Sequence, residues 1–338
     1  MSVKLEDVAR RSGVSAKTVS RVLNEEGRVA AKTRQVVLEA ISELGYTPNV
    51  SAQRLARGQS GLIGLFIHDA TPAYMMDVIN GLMDCGDSLG YGISLRRLDV
   101  RDPRQVEHAI GIAAQREVEG FVFTPPCDNS PSLTDALQEL GFPFVQLTPH
   151  ERCNNCAWVS ATDELGSHSA ATYLIERGHT RIGFIQGNQD HQASWDRLKG
   201  YRRALLESGL QLDEELVVEG SWAFESGLLQ GHRLLEKAEP PSAIMAANDD
   251  AAAGVLQAAW ERGIGCPAEL SVVGFDDVPL ARKVNPPLTT VRQPIYDIAS
   301  KAMFMLVKDL IPGKPSDIIL EVPTELVVRH STARCPAS

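Results

Sequence analysis

The sequence predicts a small all-helical head followed by a larger α/β body of two lobes, each a parallel sheet with helices on both faces. Residues 1–45 have the apolar spacing of three short helices and no strand pattern. From Gly61 onward, short apolar strand segments alternate with amphipathic helices, which is typical of parallel sheets covered on both faces. A polar segment, Thr148–Val159, follows the fourth predicted strand and favours two lobes over one closed barrel.

The composition excludes the membrane-spanning and secreted classes. The chain has 338 residues, of which 43% are hydrophobic and 22% charged, as is usual for globular proteins. Apolar runs such as Gly61–Ile67 and Ser242–Ala247 are far shorter than the roughly 18 residues of a membrane helix. Met1–Arg11 is charged and contains no apolar signal core. We therefore expect a cytoplasmic protein.

Charge is distributed unevenly along the chain. Residues 1–60 carry 10 Lys and Arg against 6 Asp and Glu, whereas the rest of the chain carries 23 against 37. A basic head on an acidic body is expected of a chain that contacts a polyanion at one end only. A solvated basic face without a partner would give the same balance.

The helices of the head have the spacing of a helix-turn-helix motif. We expect them at Leu5–Arg11, from the N-cap Ser15 to about Asn24, and at Ala31–Leu44 before Gly45. Ala9 is small where the first two helices cross, and Gly13 permits the positive φ of the tight turn. Val19 packs the second helix back on the first.

The body continues with strands and helices in alternation. Expected strands are Leu62–Ile67, Gly92–Leu98, Gly120–Thr124, Phe144–Leu147, Arg181–Gln186, Leu216–Glu219, Ala243–Ala247, Ser271–Phe275 and Leu326–Arg329. Expected helices are Tyr74–Leu89, Pro103–Gln115, Leu133–Leu140, Glu164–Arg177, Ser194–Ser208, Glu225–Glu236, Asp250–Arg262 and Ile295–Leu310. We place the head at 1–45, a linker at 46–60 and the body at 61–338. The first lobe spans about 61–160 and 291–322, and the second about 161–290 and 323–331.

The N-terminal end of the second helix is the part of this motif that enters the major groove of DNA. Lys17 and Arg21 lie on one face, and Arg21 is long enough to contact guanine O6 and N7. Short hydroxyl side chains beside them are suited to phosphate contacts. The candidate DNA-contacting residues of the head are Ser15, Ala16, Lys17, Thr18, Ser20, Arg21 and Asn24. The alternative is a three-helix cap without a DNA-binding role.

Six segments of the chain carry a family resemblance. They are LEDVARRSGVSAKTVSRVLN, VAAKTRQVVLEAISELGYTPN and SAQRLARGQSGLIGLF near the N-terminus, and AIMAANDDAAAG, LSVVGFDD and PPLTTVRQP in the body. Together they resemble the lac/gal repressor family of bacterial transcription regulators. The resemblance implies a hinge helix at Val50–Arg57 that folds on DNA. It also implies that Leu55, flanked by Ala52 and Ala56, wedges into the minor groove. The alternative is that Leu55 anchors onto the lobes.

Polar side chains lie at the carboxyl ends of several predicted strands, where open parallel sheets bind ligands. Asn248 and Asp276 each follow a strand closely. Trp222 lies just beyond another strand, and Arg197 lies in the first turn of the helix after a fourth. Polar groups pair with the hydroxyls of a carbohydrate while its ring rests on an indole face. These residues therefore predict a carbohydrate site.

The resemblance implies that effector contacts come from both lobes, through a periplasmic-binding-protein-like body. The implied positions are Tyr74, Met75, Thr148, Arg197, Trp222, Asn248 and Asp276. Thr148 departs from the acidic residue that the family often has there, which leaves the identity of the effector open. His191, in the loop before Arg197, either joins the site or is a solvated loop histidine.

The sequence predicts a ligand-responsive repressor that binds a palindromic operator as a homodimer, since two half-sites raise specific binding above background. No leucine heptad tail of the tetrameric kind is present. A free-standing periplasmic sugar-binding protein shares the two-lobed plan and is the alternative. An α/β enzyme is a weaker one, because GxGxxG, P-loop, GxSxG and HExxH motifs are absent. The pairs Asp249-Asp250 and Asp276-Asp277 follow strands, where aspartate caps the next element.

The cysteines do not predict a disulfide framework in a chain of this length. Cys153 and Cys156 have the spacing of a redox or half-zinc motif, and His150 is the only nearby additional ligand. We favour reduced, incidental thiols at these positions. We expect no cofactor, no metal and no membrane partner.

Overall fold

The computed structural model describes residues 3–23, 29–46, 60–68, 71–127, 129–149, 156–314 and 317–335. The chain divides into two units, Met1–Gly61 and Leu62–Ser338. Some predicted features lie outside the described residues, namely the hinge helix Val50–Arg57, Asn24, Ala52, Leu55, Ala56, His150 and Cys153.

The described part of the first unit contains three helices. These are α1 Leu5–Ser12, α2 Ala16–Leu23 and α3 Ala31–Leu44. They enclose a small apolar core of Val8, Ala9, Val19, Val22, Val37 and Ala40. Gly13 has a φ of 68° between α1 and α2, a conformation that favours glycine. Ser15 Oγ accepts a hydrogen bond from the Thr18 amide at 3.2 Å, so Ser15 caps α2. The predicted helix-turn-helix is confirmed.

In the described part of the second unit, strands and helices alternate. The strands are β1 Leu62–Ile67, β2 Gly92–Arg97, β3 Gly120–Phe123, β4 Phe144–Leu147, β5 Ala157–Ala161, β6 Ile182–Ile185, β7 Val217–Val218, β8 Ala243–Ala246, β9 Ser271–Asp276, β10 Thr289–Arg292, β11 Ile319–Val322 and β12 Glu325–Val327. The helices are α4 Pro72–Leu89, α5 Pro103–Ala114, α6 Pro131–Glu139, α7 Asp163–Glu176, α8 Gln192–Glu207, α9 Phe224–Leu235, α10 Asp249–Glu261 and α11 Ile295–Met305. Short 3-10 turns occur at Glu214–Leu216 and Pro279–Arg282, and α11 continues into a π-helical turn at Leu306–Leu310.

The strands form two six-stranded sheets. The first has the order β11-β5-β4-β3-β1-β2 with all neighbours parallel. The second has the order β12-β10-β9-β8-β6-β7, and its one antiparallel pair joins β10 to β12. Alternate residues of β3 enter separate apolar clusters, Val122 on one side and Phe121 and Phe123 on the other. In the second sheet, Ile244 and Met245 of β8 likewise enter separate clusters. Each sheet is thus buried on both faces, and the predicted α/β fold with a two-lobed body is confirmed.

Three strands were not predicted, and two of them lie beside the lobe boundary. β5 lies at the end of the segment predicted as a polar link, and all five of its residues are buried. β10 contains buried Thr289 and Thr290, whose hydroxyls are hydrogen-bonded, so the segment lacks the apolar pattern of a core strand. Because β10 pairs with β9, residues 291 and 292 belong to the second sheet and not to the first lobe as predicted. The third, β11, is a short edge strand in which Ile319 and Glu321 are exposed and Val322 is buried.

Close backbone contact fixes α8 against α7. A Cβ placed on Gly200 would lie 2.1 Å from the carbonyl oxygen of Glu164, so only glycine fits at this crossing. Ser167 Oγ donates to the carbonyl oxygen of Arg197 at 2.6 Å across the same interface. These contacts hold the N-terminal part of α8, which carries Arg197, in a fixed position on α7.

None of the described helices is both long enough and apolar enough to cross a membrane.

Candidate functional site

The exposed face of α2 carries the candidate DNA contacts of the head. Lys17 and Arg21 are exposed and one helical turn apart, while Val19 and Val22 on the opposite side are buried. Ser15 and Thr18 share a hydrogen bond between their hydroxyls at 2.9 Å. Ser20 is half-buried, and so is Ala16, which packs against the core of the head. The face therefore presents two cations beside short hydroxyl groups, as contact with a phosphate backbone and base edges requires.

The second unit contains a cavity that is partly open to solvent. It is lined by Thr71, Tyr74, Pro125, Thr148, His191, Ala193, Arg197, Trp222, Asn248, Asp276 and Gln293. Pro125 and Thr148 follow strands of the first sheet, whereas Asn248, Asp276 and Gln293 lie at the carboxyl ends of strands of the second. The cavity therefore lies between the two lobes at the strand ends. The structure brings seven of the eight predicted effector residues together here.

Met75 is the predicted site residue that does not line this cavity. Its side chain is 8% exposed and packs in the apolar core of the first lobe. Tyr74 and Met75 are consecutive on α4, so their side chains are about 100° apart around the helix. Tyr74 consequently contributes to the cavity, whereas Met75 contributes to the core of the first lobe.

Arg197 is the buried cation of the cavity, and its guanidinium is already engaged. Nε donates to Asp163 Oδ1 at 2.7 Å, and Nη1 donates to the carbonyl oxygen of Ala247. Nη2 lies 3.5 Å from Asp276 Oδ1. The guanidinium carbon lies 3.8 Å from the centre of the Phe275 ring. The side chain is thus held rigidly, with its charge balanced by two buried carboxylates.

Asp276 is a buried carboxylate held by an amide that sequence reasoning missed. Gln293 Nε2 donates to Asp276 Oδ1 at 2.5 Å. Burial raises the pKa of Asp276 to about 6, while Arg197 and Gln293 lower it and Asp163 raises it. Gln293 directly follows β10, so the rule that ligands bind at strand ends would have found it had that strand been recognised.

The backbone at the cavity is strained at two lining residues and one neighbour. Thr148 has a φ of 49°, Asp276 a φ of 110° and Asp277 a φ of 59°. Residues other than glycine rarely adopt such conformations. Where strained residues do occur, they cluster at functional sites. Because a strained residue from each lobe lines this one cavity, the strain supports a binding role for the cavity.

Trp222 is seated by a small set of neighbouring groups. A Cβ on Gly187 would lie 2.2 Å from Trp222 Cη2, so the indole lies directly against the backbone there. Asn248 Nδ2 donates to the carbonyl oxygen of Trp222 at 2.9 Å, and Asn188 Oδ1 accepts from its amide at 3.3 Å. His191 packs edge-on against the indole, with 5.5 Å between ring centres. Buried Trp222 Nε1 has no hydrogen-bond partner among the described residues, so it is a donor available to a ligand.

Asn248 is more constrained than the sequence suggested. Its Oδ1 caps α10 by accepting from the amide of Ala251 at 2.9 Å, and its Nδ2 holds Trp222. Asn248 therefore shapes the cavity through Trp222, in addition to lining it.

The carboxylate pairs are engaged in structural bonds. Asp249 accepts from Thr290 Oγ1 at 2.5 Å and from the Val278 amide at 2.9 Å. Asp277 is buried and accepts from Arg292 Nε at 2.8 Å. Asp249 and Asp277 therefore stabilise the loops and ion pairs beside the strand ends.

Cys156 differs from the prediction of a reduced thiol, because it is disulfide-bonded in this structure. Gln138 Nε2 also donates to its Sγ at 3.2 Å. Among the described residues no group of three or more His, Cys, Asp or Glu side chains is placed to hold a metal ion.

The head is a helix-turn-helix with two exposed cations, and the body has a polar cleft between two lobes. These two features define the class of ligand-responsive DNA-binding transcription regulators. Residues 4–49 match the family described as bacterial regulatory proteins, lacI family. Residues 171–332 match the periplasmic binding protein-like domain. The chain belongs to the lacI family of bacterial transcription regulators, as its relatives show.

Among these relatives, the HTH-type transcriptional regulator DegA of Bacillus subtilis is 33% identical over 98% of this chain and 99% of that protein. Catabolite control protein A of Priestia megaterium is 33% identical over 98% of this chain and 100% of that protein. The solved complex of the regulator CelR with cellobiose is 31% identical, with a TM-score of 0.75, and covers 97% of this chain and 99% of that one. The lac repressor dimer bound to operator and the anti-inducer ONPF is 29% identical, with a TM-score of 0.79, and covers 98% of this chain and 100% of that one. The predicted function, a ligand-responsive transcription regulator, is confirmed.

Proposed function

We propose that this chain represses transcription by binding a palindromic operator as a homodimer, and that a carbohydrate in the cavity between its lobes controls that binding. The observation that carries the proposal is the cavity itself. Tyr74 and Thr148 from one lobe meet Arg197, Trp222 and Asp276 from the other in a single polar space. An indole beside hydrogen-bonding groups on both lobes suits a polyhydroxylated ring.

In the head, Lys17 and Arg21 read base edges, and the hydroxyls of Ser15, Thr18 and Ser20 contact phosphates. This assignment follows from the exposure of the two cations on one face of α2. The wedge role of Leu55 rests on the family resemblance, and Leu55 lies outside the described residues. The CelR–cellobiose complex and the operator-bound lac repressor dimer support a sugar effector and an operator for this chain.

Coupling between the cavity and the DNA follows from the position of the ligand between lobes. A ligand that contacts Thr148 on one side and Asp276 on the other favours one arrangement of the lobes over another. Only such differential affinity moves an equilibrium between two states. The effector therefore acts by selecting the lobe arrangement in which the protein binds, or releases, its operator.

The homodimer is proposed to form through the first lobe. Met76 and Met83 on α4 are 53% and 46% exposed, and their spacing of seven residues puts them on one helix face. Leu95, 51% exposed, lies on β2, the edge strand of the first sheet. Exposed apolar side chains grouped in this way are typical of protein–protein interfaces.

We propose no catalytic activity, because Asp249 and Asp277 are committed to structural hydrogen bonds and ion pairs. We place the protein in the cytoplasm, because its operator is genomic DNA.

A thermal-shift screen of the full chain against monosaccharides and disaccharides tests the effector assignment. A sugar present at 100 times its Kd stabilises the folded state by about 2.7 kcal/mol, which raises the melting temperature by several degrees. Asp276→Asn should abolish the shift. Asp309→Asn, which removes a carboxylate paired with Lys314 in the turn that follows α11, should keep it. A shift that survives Asp276→Asn contradicts the site.

A further inference from the structure

The charges of the cavity are balanced within the protein. Among its lining residues, the arginine and carboxylate side chains in the described part of the chain are Arg197 and Asp276, with Nη2 and Oδ1 3.5 Å apart. Both are nearly buried, with side chains 5% and 8% exposed. Charges at this depth are screened weakly by salt, so their balance determines which ligand charge the cavity tolerates.

A second carboxyl group, outside the lining of the cavity, also pairs with Arg197. Asp163 is the first residue of α7, and its side chain is 1% exposed. Its Oδ1 accepts from Arg197 Nε at 2.7 Å. The close contact of Gly200 with Glu164, and the hydrogen bond from Ser167 to the Arg197 carbonyl, fix the distance between these two side chains. Arg197 therefore faces two carboxyl groups, and no second arginine or lysine is among the described residues that line the cavity.

An anionic ligand in this cavity would lose its hydration and meet the carboxylate of Asp276 beside an arginine that is already paired. Burying a charge without a new counter-charge is strongly unfavourable. An uncharged ligand avoids this cost. Its hydroxyls donate to Asp276 and accept from the Trp222 indole N–H, which has no partner among the described residues.

We infer that the effector is an uncharged polyhydroxylated molecule, and that Asp163 enforces this preference by neutralising Arg197. The inference rests on the proposed function of the cavity. Asp163 acts as a positioning and charge-balancing residue, since it lies behind Arg197 and is not among the residues that line the cavity.

Isothermal titration of the full chain with pairs of sugars that differ only at C6 tests the preference. Suitable pairs are D-glucose with D-glucuronate, D-galactose with D-galacturonate, and D-glucose with D-glucose 6-phosphate. In at least one pair the neutral sugar should bind, with its anionic counterpart at least tenfold weaker. An anionic member that binds as tightly as its neutral counterpart, or more tightly, overturns the inference and leaves the proposed function standing. Binding of no sugar, either in these pairs or in the thermal-shift screen, overturns the proposed sugar effector, and the inference with it.

Asp163→Asn tests the role of that residue. It keeps the shape of the side chain and removes the charge that offsets Arg197, so the ratio of neutral to anionic affinity should fall at least fivefold. A purely structural role would weaken both members of a pair equally and leave the ratio unchanged, which overturns the role of Asp163. Asp213→Asn is the matched control, because Asp213 also pairs with an arginine, Arg181, at 3.1 Å, and is not among the residues that line the cavity. The ratio of neutral to anionic affinity in this control should equal that of the parent. The titration of the parent decides the preference even where Asp163→Asn fails to fold.

Discussion

Replacing Gly187 with alanine should displace the indole of Trp222. The added Cβ would lie 2.2 Å from Cη2, 2.3 Å from Cζ3 and 2.6 Å from Cζ2 of that ring. Non-bonded carbon atoms approach to about 3.5 Å, so the ring must move by more than ~1 Å. The φ of Gly187 lies outside the left-handed region, so alanine meets no backbone strain there. The collision with Trp222 is therefore the main effect of the substitution.

Loss of the indole surface should weaken effector binding by about 1–2 kcal/mol, or roughly 5- to 30-fold. Isothermal titration with a neutral sugar that shifts the parent's melting temperature measures the affinity, and iodide quenching of tryptophan fluorescence reports the displaced ring. Gly111→Ala is the control, because its added Cβ meets only Gln115 Nε2, at 4.0 Å. If Gly187→Ala displaced the indole and still bound the sugar with the parent's affinity, the effector would not rest on Trp222. Unchanged quenching would refute the steric argument.

Three further predictions concern separate parts of the chain. Arg21→Ala should cost about 1–3 kcal/mol at one base pair of the half-site and relax the preference there, as measured with single-substitution duplexes. An equal loss at every position would make Arg21 a phosphate contact. Met83→Glu should dissociate the dimer in light scattering, whereas Leu206→Glu, at an exposed position on α8, should not. An intact Met83→Glu dimer would exclude the α4 face. Burial raises the pKa of Asp276 from 3.8 to about 6. Between these values the folded chain holds a proton that the unfolded chain has released, so this group lowers the free energy of unfolding as the pH rises from about 4 to 6. Urea unfolding should show this slope reduced in Asp276→Asn, and an identical slope would contradict the burial of the carboxylate.

The fold could be predicted wherever an element was long or strongly periodic. The helices of the head and the central strands of both sheets lie where the apolar spacing put them, because they bury a regular face. β5 and β10 could not be predicted. They are short, and the buried threonines of β10 find hydrogen-bond partners that are distant in sequence, such as Asp249 for Thr290. No local pattern reveals a partner that only the tertiary fold supplies.

The candidate site could likewise be predicted from the sequence only in part. Asn248 and Asp276 were predicted because the ends of parallel strands meet at one edge of a sheet. Gln293 was missed because the strand before it was missed. Met75 packs in the core although Tyr74 lines the cavity, because one residue along a helix turns the side chain by about 100°. The ion pair of Asp163 with Arg197 spans 34 residues of sequence and depends on the packing of α7 on α8, which sequence alone does not specify.

The most direct test of the account is a fluorescence-anisotropy titration of an operator duplex, selected by the chain from a random library, with and without the bound sugar. The sugar should change the operator affinity of the parent by about 5- to 150-fold, the usual range of such coupling. Asp276→Asn, which tolerates the positive φ of 110° at this position, should bind the duplex as the parent does and show no change with sugar. A full response of this variant at the parent's sugar concentration would contradict the assignment of the cavity as the effector site.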